Sequence, residues 1–153
     1  MLEAKASVTI RRPLDEVQAQ FGDVAYHQRA GHHRGVKFHV VSESSQSCSY
    51  SQETRVGPAR LRQHFELDRT VPGHQVNSLI SGLFSPGSIT FDIVADGDDG
   101  ASVTATLCST RPGFTQLAAP LLRRSLARIL TRSLKEDRDD LESGRYASGR
   151  GTQ

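Results

Sequence analysis

Between Lys5 and Arg11 the chain alternates, with Ala6, Val8 and Ile10 on one face and Ser7, Thr9 and Arg11 on the other. A period of two marks a half-buried strand. Pro13 ends it. Leu14, Val17 and Phe21 then recur at helical spacing, with Asp15 and Glu16 near the start, where negative charge suits the helix dipole. A second short helix is expected from Val24 to Ala30. From residue 35 onward alternation returns in short segments: 35–43, 47–55, 60–69, 74–82, 87–95 and 101–109. Turn formers separate them, at Ser44-Ser45, Gly57-Pro58, Pro72-Gly73, Pro86-Gly87 and the run from Asp96 to Gly100. Consecutive strands with short breaks predict an antiparallel meander rather than crossover units. After Arg111-Pro112-Gly113 the period is helical again, and Leu122, Leu126, Ile129, Leu130, Leu134 and Leu141 form one stripe over about six turns. Pro120 is expected in or near the first turn, or at a kink. Gly144 is a plausible stop, and the small polar residues 144–153 read as a disordered tail.

Strand, two short helices, six strands and a long terminal helix is an order that resembles the START and polyketide-cyclase superfamily, the helix-grip fold of the birch-pollen allergen. The opening ASVTIRRPLDEVQAQFGDV is similar to that superfamily's first strand and helix. The resemblance implies an α+β domain over residues 1–143, with a curved antiparallel sheet of about seven strands wrapped around the terminal helix and a cavity between them. A fold of this kind does not specify chemistry. Alternation supplies the inward faces: Val36, Phe38 and Val40; Leu61, Phe65 and Leu67; Ile89, Phe91 and Ile93; Val103, Ala105 and Leu107. These either line a cavity or fill a core. Phe38, Phe65, Phe91 and Leu130 are the candidate apolar ligand contacts, and Gln52 a polar one. Tyr50 and Gln63 are candidate catalytic groups that interrupt the apolar lining, a mixture found in sites that orient a ligand.

Length and charge narrow the partners. A chain of 153 residues can bury one core, and a net charge of +2 gives no reason to expect nucleic acid. Arg123, Arg124, Arg128 and Arg132 mostly fall on the polar side of the terminal helix and read as its solvated face. Cys48 and Cys108 form no CxxC pair or disulfide framework and read as small strand residues, which fits a reducing cytoplasm. No stretch approaches the roughly 20 apolar residues of a membrane span. GxSxG, P-loop and dinucleotide fingerprints are absent from the sequence.

The candidate chemistry is concentrated at Asp23-Val-Ala-Tyr-His27-Gln-Arg-Ala-Gly-His32-His33, which holds three of the six histidines. Neutral imidazole is the commonest metal ligand. His27 and His32 would stand about 140° apart on an unbroken helix, so joint ligation requires the backbone to turn, as Gly31 permits. Asp23, one turn before His27, is placed to accept the other ring N–H and so fix the ring. On the terminal helix Asp137 falls on the apolar stripe with Leu130, Leu134 and Leu141, Asp140 sits at its edge, and Glu136 and Asp139 point away. A carboxylate on a buried stripe calls for a partner, a cation or solvent. His33 is an alternative ligand, whereas His39, His64 and His74 read as structural or exposed.

Two histidines and a carboxylate make the facial triad of non-heme Fe(II) oxygenases. Here the chain resembles the catalytic domain of Rieske-type ring-hydroxylating oxygenases, which carry Asp-x2-His-x4-His and an aspartate on the last helix in an acidic setting. His27-x4-His32 and Glu136-Asp137-Arg-Asp-Asp-Leu-Glu142 are similar to both halves. The resemblance implies Fe(II) held by His27, His32 and Asp137, with Asp23 supporting them. It departs from the family in an x3 spacing from Asp23 to His27 and in lacking the Rieske cluster ligands, so electrons would come from an external donor or the substrate, or the reaction would need none. Three readings follow: an iron-dependent oxidative enzyme acting on an aromatic or polyketide-like substrate, a metal-free polyketide aromatase or cyclase, and a non-catalytic carrier of a hydrophobic ligand.

Overall fold

The structure, a computed structural model, describes residues 1–112 and 115–150. Strand β1 (Leu2–Ile10) leads through α1 (Leu14–Gly22) and α2 (Val24–Ala30) to β2 (Val36–Glu43), β3 (Ser47–Val56), β4 (Ala59–Val71), β5 (His74–Ser81), β6 (Gly87–Ala95) and β7 (Ala101–Ser109). Helix α3 (Thr115–Glu142) and a short α4 (Arg145–Gly149) complete it. One seven-stranded sheet runs β1-β7-β6-β5-β4-β3-β2, antiparallel at every pairing. This is the expected helix-grip architecture, with α3 gripped by the sheet and packed on β1.

Period and packing explain the boundaries. β1 starts earlier than its alternation from Lys5 suggests, because Leu2 and Ala4 are buried and pair with Ser109 and Leu107 of β7. Phe65, Leu67, Ile93 and Val103 alternate with more exposed neighbours and close the core against Leu134 and Leu141 of α3. Pro120 lies inside α3, in its second turn, rather than at its entrance. Gly113, in the predicted break before α3, lies outside the described residues.

The expected disordered tail is corrected over part of its length. Arg145–Gly149 is helical, and Tyr146 is buried, with its ring edge-on to Tyr26 at 4.7 Å between centroids and its hydroxyl donating to Asp23 Oδ2 at 3.2 Å. A single aromatic residue supplies enough apolar surface to hold this turn down. Residues 151–153 lie outside the described residues. No helix among the described residues is long and apolar enough to cross a membrane.

Candidate metal centre at the end of an apolar cavity

Between α3 and the sheet lies a cavity of about 160 Å³. Its wall is mainly apolar and aromatic, with Phe21, Phe38, Phe84, Phe91, Ile89 and Leu130 among the lining residues. Phe38, Phe91, Leu130 and Gln52 line it as the sequence predicts, and so do Tyr50 and Gln63. Phe65 does not. It is stacked on Tyr50, its cross-strand partner, at 5.3 Å and belongs to the core, because alternation specifies a face of the sheet and not depth beneath it. The Tyr50 hydroxyl donates to Asn77 Oδ1 at 2.8 Å, and Asn77 donates to the Ile89 carbonyl at 3.3 Å. Burial pushes the Tyr50 phenol up from its usual range, which suits a neutral donor and not a base.

At one end the cavity meets a polar cluster. Ligand atoms of His27, His32, His33 and Asp137 all lie within 4.8 Å of one another. Local chain geometry brings them together. Asp23 caps α2 by accepting the Tyr26 N–H at 3.0 Å, which starts the helix that carries His27. Gly31 then ends α2 in the left-handed conformation at φ 60°, turning His32 and His33 back toward α3. Asp137 meets them from the apolar stripe of α3. His27, His33 and Asp137 line the cavity; His32 does not.

The predicted role of Asp23 is corrected in one respect. The His27 Nδ1–H points to the backbone carbonyl of Asp23, at 2.8 Å, while the carboxylate is engaged by Tyr26 N–H and Tyr146. As the helix N-cap, Asp23 turns its side chain to the exposed helix N–H groups and presents its carbonyl one turn along. The effect on His27 is the one expected, since a fixed Nδ1–H leaves the Nε2 lone pair directed at the cluster.

The cluster oversubscribes one oxygen. Asp137 Oδ1 faces His32 Nε2 at 2.8 Å, His33 Nε2 at 3.0 Å, His27 Nε2 at 3.1 Å and Gln20 Nε2 at 3.1 Å. A carboxylate offers about two lone-pair sites per oxygen, and a neutral His27 aims a lone pair, not a proton, at this one. A metal cation, or a proton on one of the rings, would resolve the conflict. Protonating all three rings would set positive charges 4.3–5.4 Å apart, judged by ring centroids, and two unit charges at 4 Å repel by about 4 kcal/mol even at an effective dielectric of 20. One divalent ion among neutral imidazoles meets the same carboxylate with no such repulsion. Ligand atoms bonded at about 2.0–2.1 Å to a common ion stand roughly 3 Å apart; each imidazole nitrogen has that spacing from Asp137 Oδ1, and the four ligand atoms, within 4.8 Å of one another, would draw slightly closer around an ion. The residues therefore fit a metal.

Electrostatics agree with a site built around one anion. Burial opposes ionisation of Asp137, but the charge of His33 and the hydrogen bonds of His27, His32 and His33 hold its carboxyl well below the usual range. Burial likewise opposes the charged form of His33; the neighbouring Asp137 and Glu136 outweigh it and raise its pKa.

Several contributors escape the sequence pattern. Gln20, fully buried on α1, donates to Asp137 Oδ1 and lies 3.5 Å from Asp140 Oδ2. It follows Val17 by three residues on the apolar face of α1, a signal that was available. Asp140 is buried rather than at the stripe's edge, with the Tyr26 hydroxyl donating to it at 2.8 Å and Arg145 3.5 Å away. Glu136, expected to point away, is half-buried and accepts the Arg34 N–H at 2.9 Å. His64 and His74 contact Ser49 and Asp92, apart from the site.

No protein-family model matches the chain, and no curated protein matches it in sequence. Solved structures do resemble it. TTHA0849 from Thermus thermophilus superposes with a TM-score of 0.80 at 18% identity, covering 93% of this chain and 98% of the other. A START superfamily protein from Mycobacterium smegmatis gives 0.75 at 12% identity over 94% and 99%. The shared architecture is the helix-grip fold. The Zhui aromatase/cyclase from Streptomyces sp. R1128 gives 0.72 at 15% identity over 96% and 97% of the two chains. At such identities the likeness to START proteins is one of fold.

Proposed function

We propose that the chain is a metal-dependent enzyme acting on an apolar, aromatic or polyketide-like small molecule, with the metal held by His27, His32 and Asp137 at the cavity's end. The observation that carries this reading is the convergence of three imidazole nitrogens on Asp137 Oδ1 beside an apolar cavity. By the resemblance to ring-hydroxylating oxygenases the ion is Fe(II), with electrons from an external donor or the substrate. A divalent transition ion supplies Lewis-acid or redox activation of groups bound to it.

The chain's own residues do the rest. Phe21, Phe38, Phe84 and Phe91 enclose the substrate and exclude water. Gln52, Gln63 and the Tyr50–Asn77 pair offer hydrogen bonds that orient it. Gln20 and the Asp23 carbonyl hold Asp137 and His27 in the orientation that faces the cavity.

A second reading, a metal-free aromatase or cyclase, is favoured by the fold shared with the Zhui aromatase/cyclase. There Tyr50, Gln52, Gln63 or a histidine of the cluster would assist enolisation and loss of water, the histidine by proton transfer and the others by hydrogen bonding. Incubating the protein with a poly-β-ketone surrogate separates the two. Turnover that stops with a strong chelator and returns with Fe(II) supports the metal-dependent enzyme; undiminished cyclisation with chelator present assigns the chain to the second reading.

A further inference from the structure

We infer that His33 is a fourth protein ligand, so that the centre is a three-histidine, one-aspartate site in which His33 occupies a position that a facial triad leaves open. The inference rests on the metal-dependent reading above and goes beyond it in coordination number and in access to the ion.

His33 Nε2 stands 3.0 Å from Asp137 Oδ1, between the distances of His32 and His27 from the same atom. Its distance matches theirs, although His27 and His32 meet Asp137 with hydrogen-bond geometry and His33 as a close contact. The ring is buried, and it lies within 4.3 Å of the His32 ring and is stacked on His27 at 5.4 Å. Its Nδ1 has no hydrogen bond among the described residues, although Glu136 Oε1 approaches to 3.5 Å. Burying an imidazole with one nitrogen unpaired is costly unless the other gains a strong partner. A bound cation at Nε2 is such a partner, and the nearby Glu136 carboxylate raises the ring's basicity as a ligand.

The loop bearing His33 is fixed from both sides. Gly31 turns it back from α2, the His33 carbonyl accepts the Val36 N–H at 3.3 Å, and the Arg34 N–H is bonded to Glu136, the residue before Asp137. His33 is thereby held in register with Asp137 on α3. Adjacent residues rarely direct both side chains to one point, and here the turn after α2 makes His32 and His33 do so.

Position relative to the cavity gives the consequence. His33 lines the cavity and His32 does not, so the third imidazole stands on the side from which a substrate would approach. A ligand reaching the ion must either share the coordination sphere with His33 or displace it.

Cobalt(II) tests this, because four- or five-coordinate Co(II) absorbs visible light far more strongly than six-coordinate Co(II), and the colour reports ligands directly. Untagged protein cleared of metal is titrated with CoCl2, alone and as His33→Ala. The expected result is one equivalent bound by wild type with an intense visible band, and at least about tenfold weaker binding with a shifted, weaker band in His33→Ala. Equal affinity and an unchanged spectrum in the variant would overturn the His33 assignment while leaving the metal reading intact. Failure of the wild-type protein to bind Co(II) would remove both. If His33→Ala does not fold, X-ray absorption of Co(II)-loaded wild type still decides: three imidazoles support the inference and two refute it.

Discussion

The two walls of the cavity are built on opposite principles. On the sheet side, residues such as Ile89, Phe91, Ala105 and Leu107 are interchangeable contributors of apolar surface, and the polar connection there, Tyr50 to Asn77, is satisfied within the wall. On the helix side, Gln20, His27, His32, His33, Asp137 and Asp140 depend on one another, and their donors converge on a few carboxylate oxygens. Substitution in the first wall is felt as lost packing. In the second it leaves a buried polar or charged group without its partner. The two walls therefore differ in how they should respond to substitution.

That difference can be broken or sharpened by substitution. Asp137→Ala removes the anion shared by all three imidazoles, and metal affinity is expected to fall by more than about 100-fold in calorimetric titration; retained affinity would mean that the carboxylate is not a ligand. Phe65→Ala, in the core beside Tyr50, should cost about 3–5 kcal/mol in urea unfolding with metal stoichiometry unchanged. Loss of metal in a folded Phe65→Ala protein would show that the walls are coupled after all. Tyr50→Phe leaves Asn77 Oδ1 without its donor and is expected to cost about 1–3 kcal/mol, again without effect on the metal. The smallest effect concerns Cys48. Burial, with the Glu43 charge, pushes its thiol up to about 11, so at pH 8 it should label with a thiol reagent only as fast as the protein unfolds. Rapid labelling in the native state would show that β3 opens locally.

Much of the sheet wall was readable from the sequence, because side-chain direction in a strand follows parity and parity is visible residue by residue. Asp137 was readable for the same reason, since 3.6-residue periodicity sets it among Leu130, Leu134 and Leu141. What escaped depends on elements meeting. Periodicity ends at Gly31, so it carries no information about where the His33 ring goes once the chain leaves α2. Asp140 reads as an edge position on α3 alone; α1, α2 and α4 meet it there, and α4 itself was hidden in a polar segment whose anchoring aromatic is Tyr146. Phe65 shows the complementary failure, where the correct face was read and its depth was not.

Metal content decides the central claim. Protein purified without a histidine tag, loaded anaerobically with Fe(II) and passed through a desalting column, is predicted to retain one equivalent of iron by elemental analysis, with the His27→Ala/His32→Ala double variant retaining none. Wild-type protein that emerges metal-free, or a double variant that binds as much as wild type, would contradict the account.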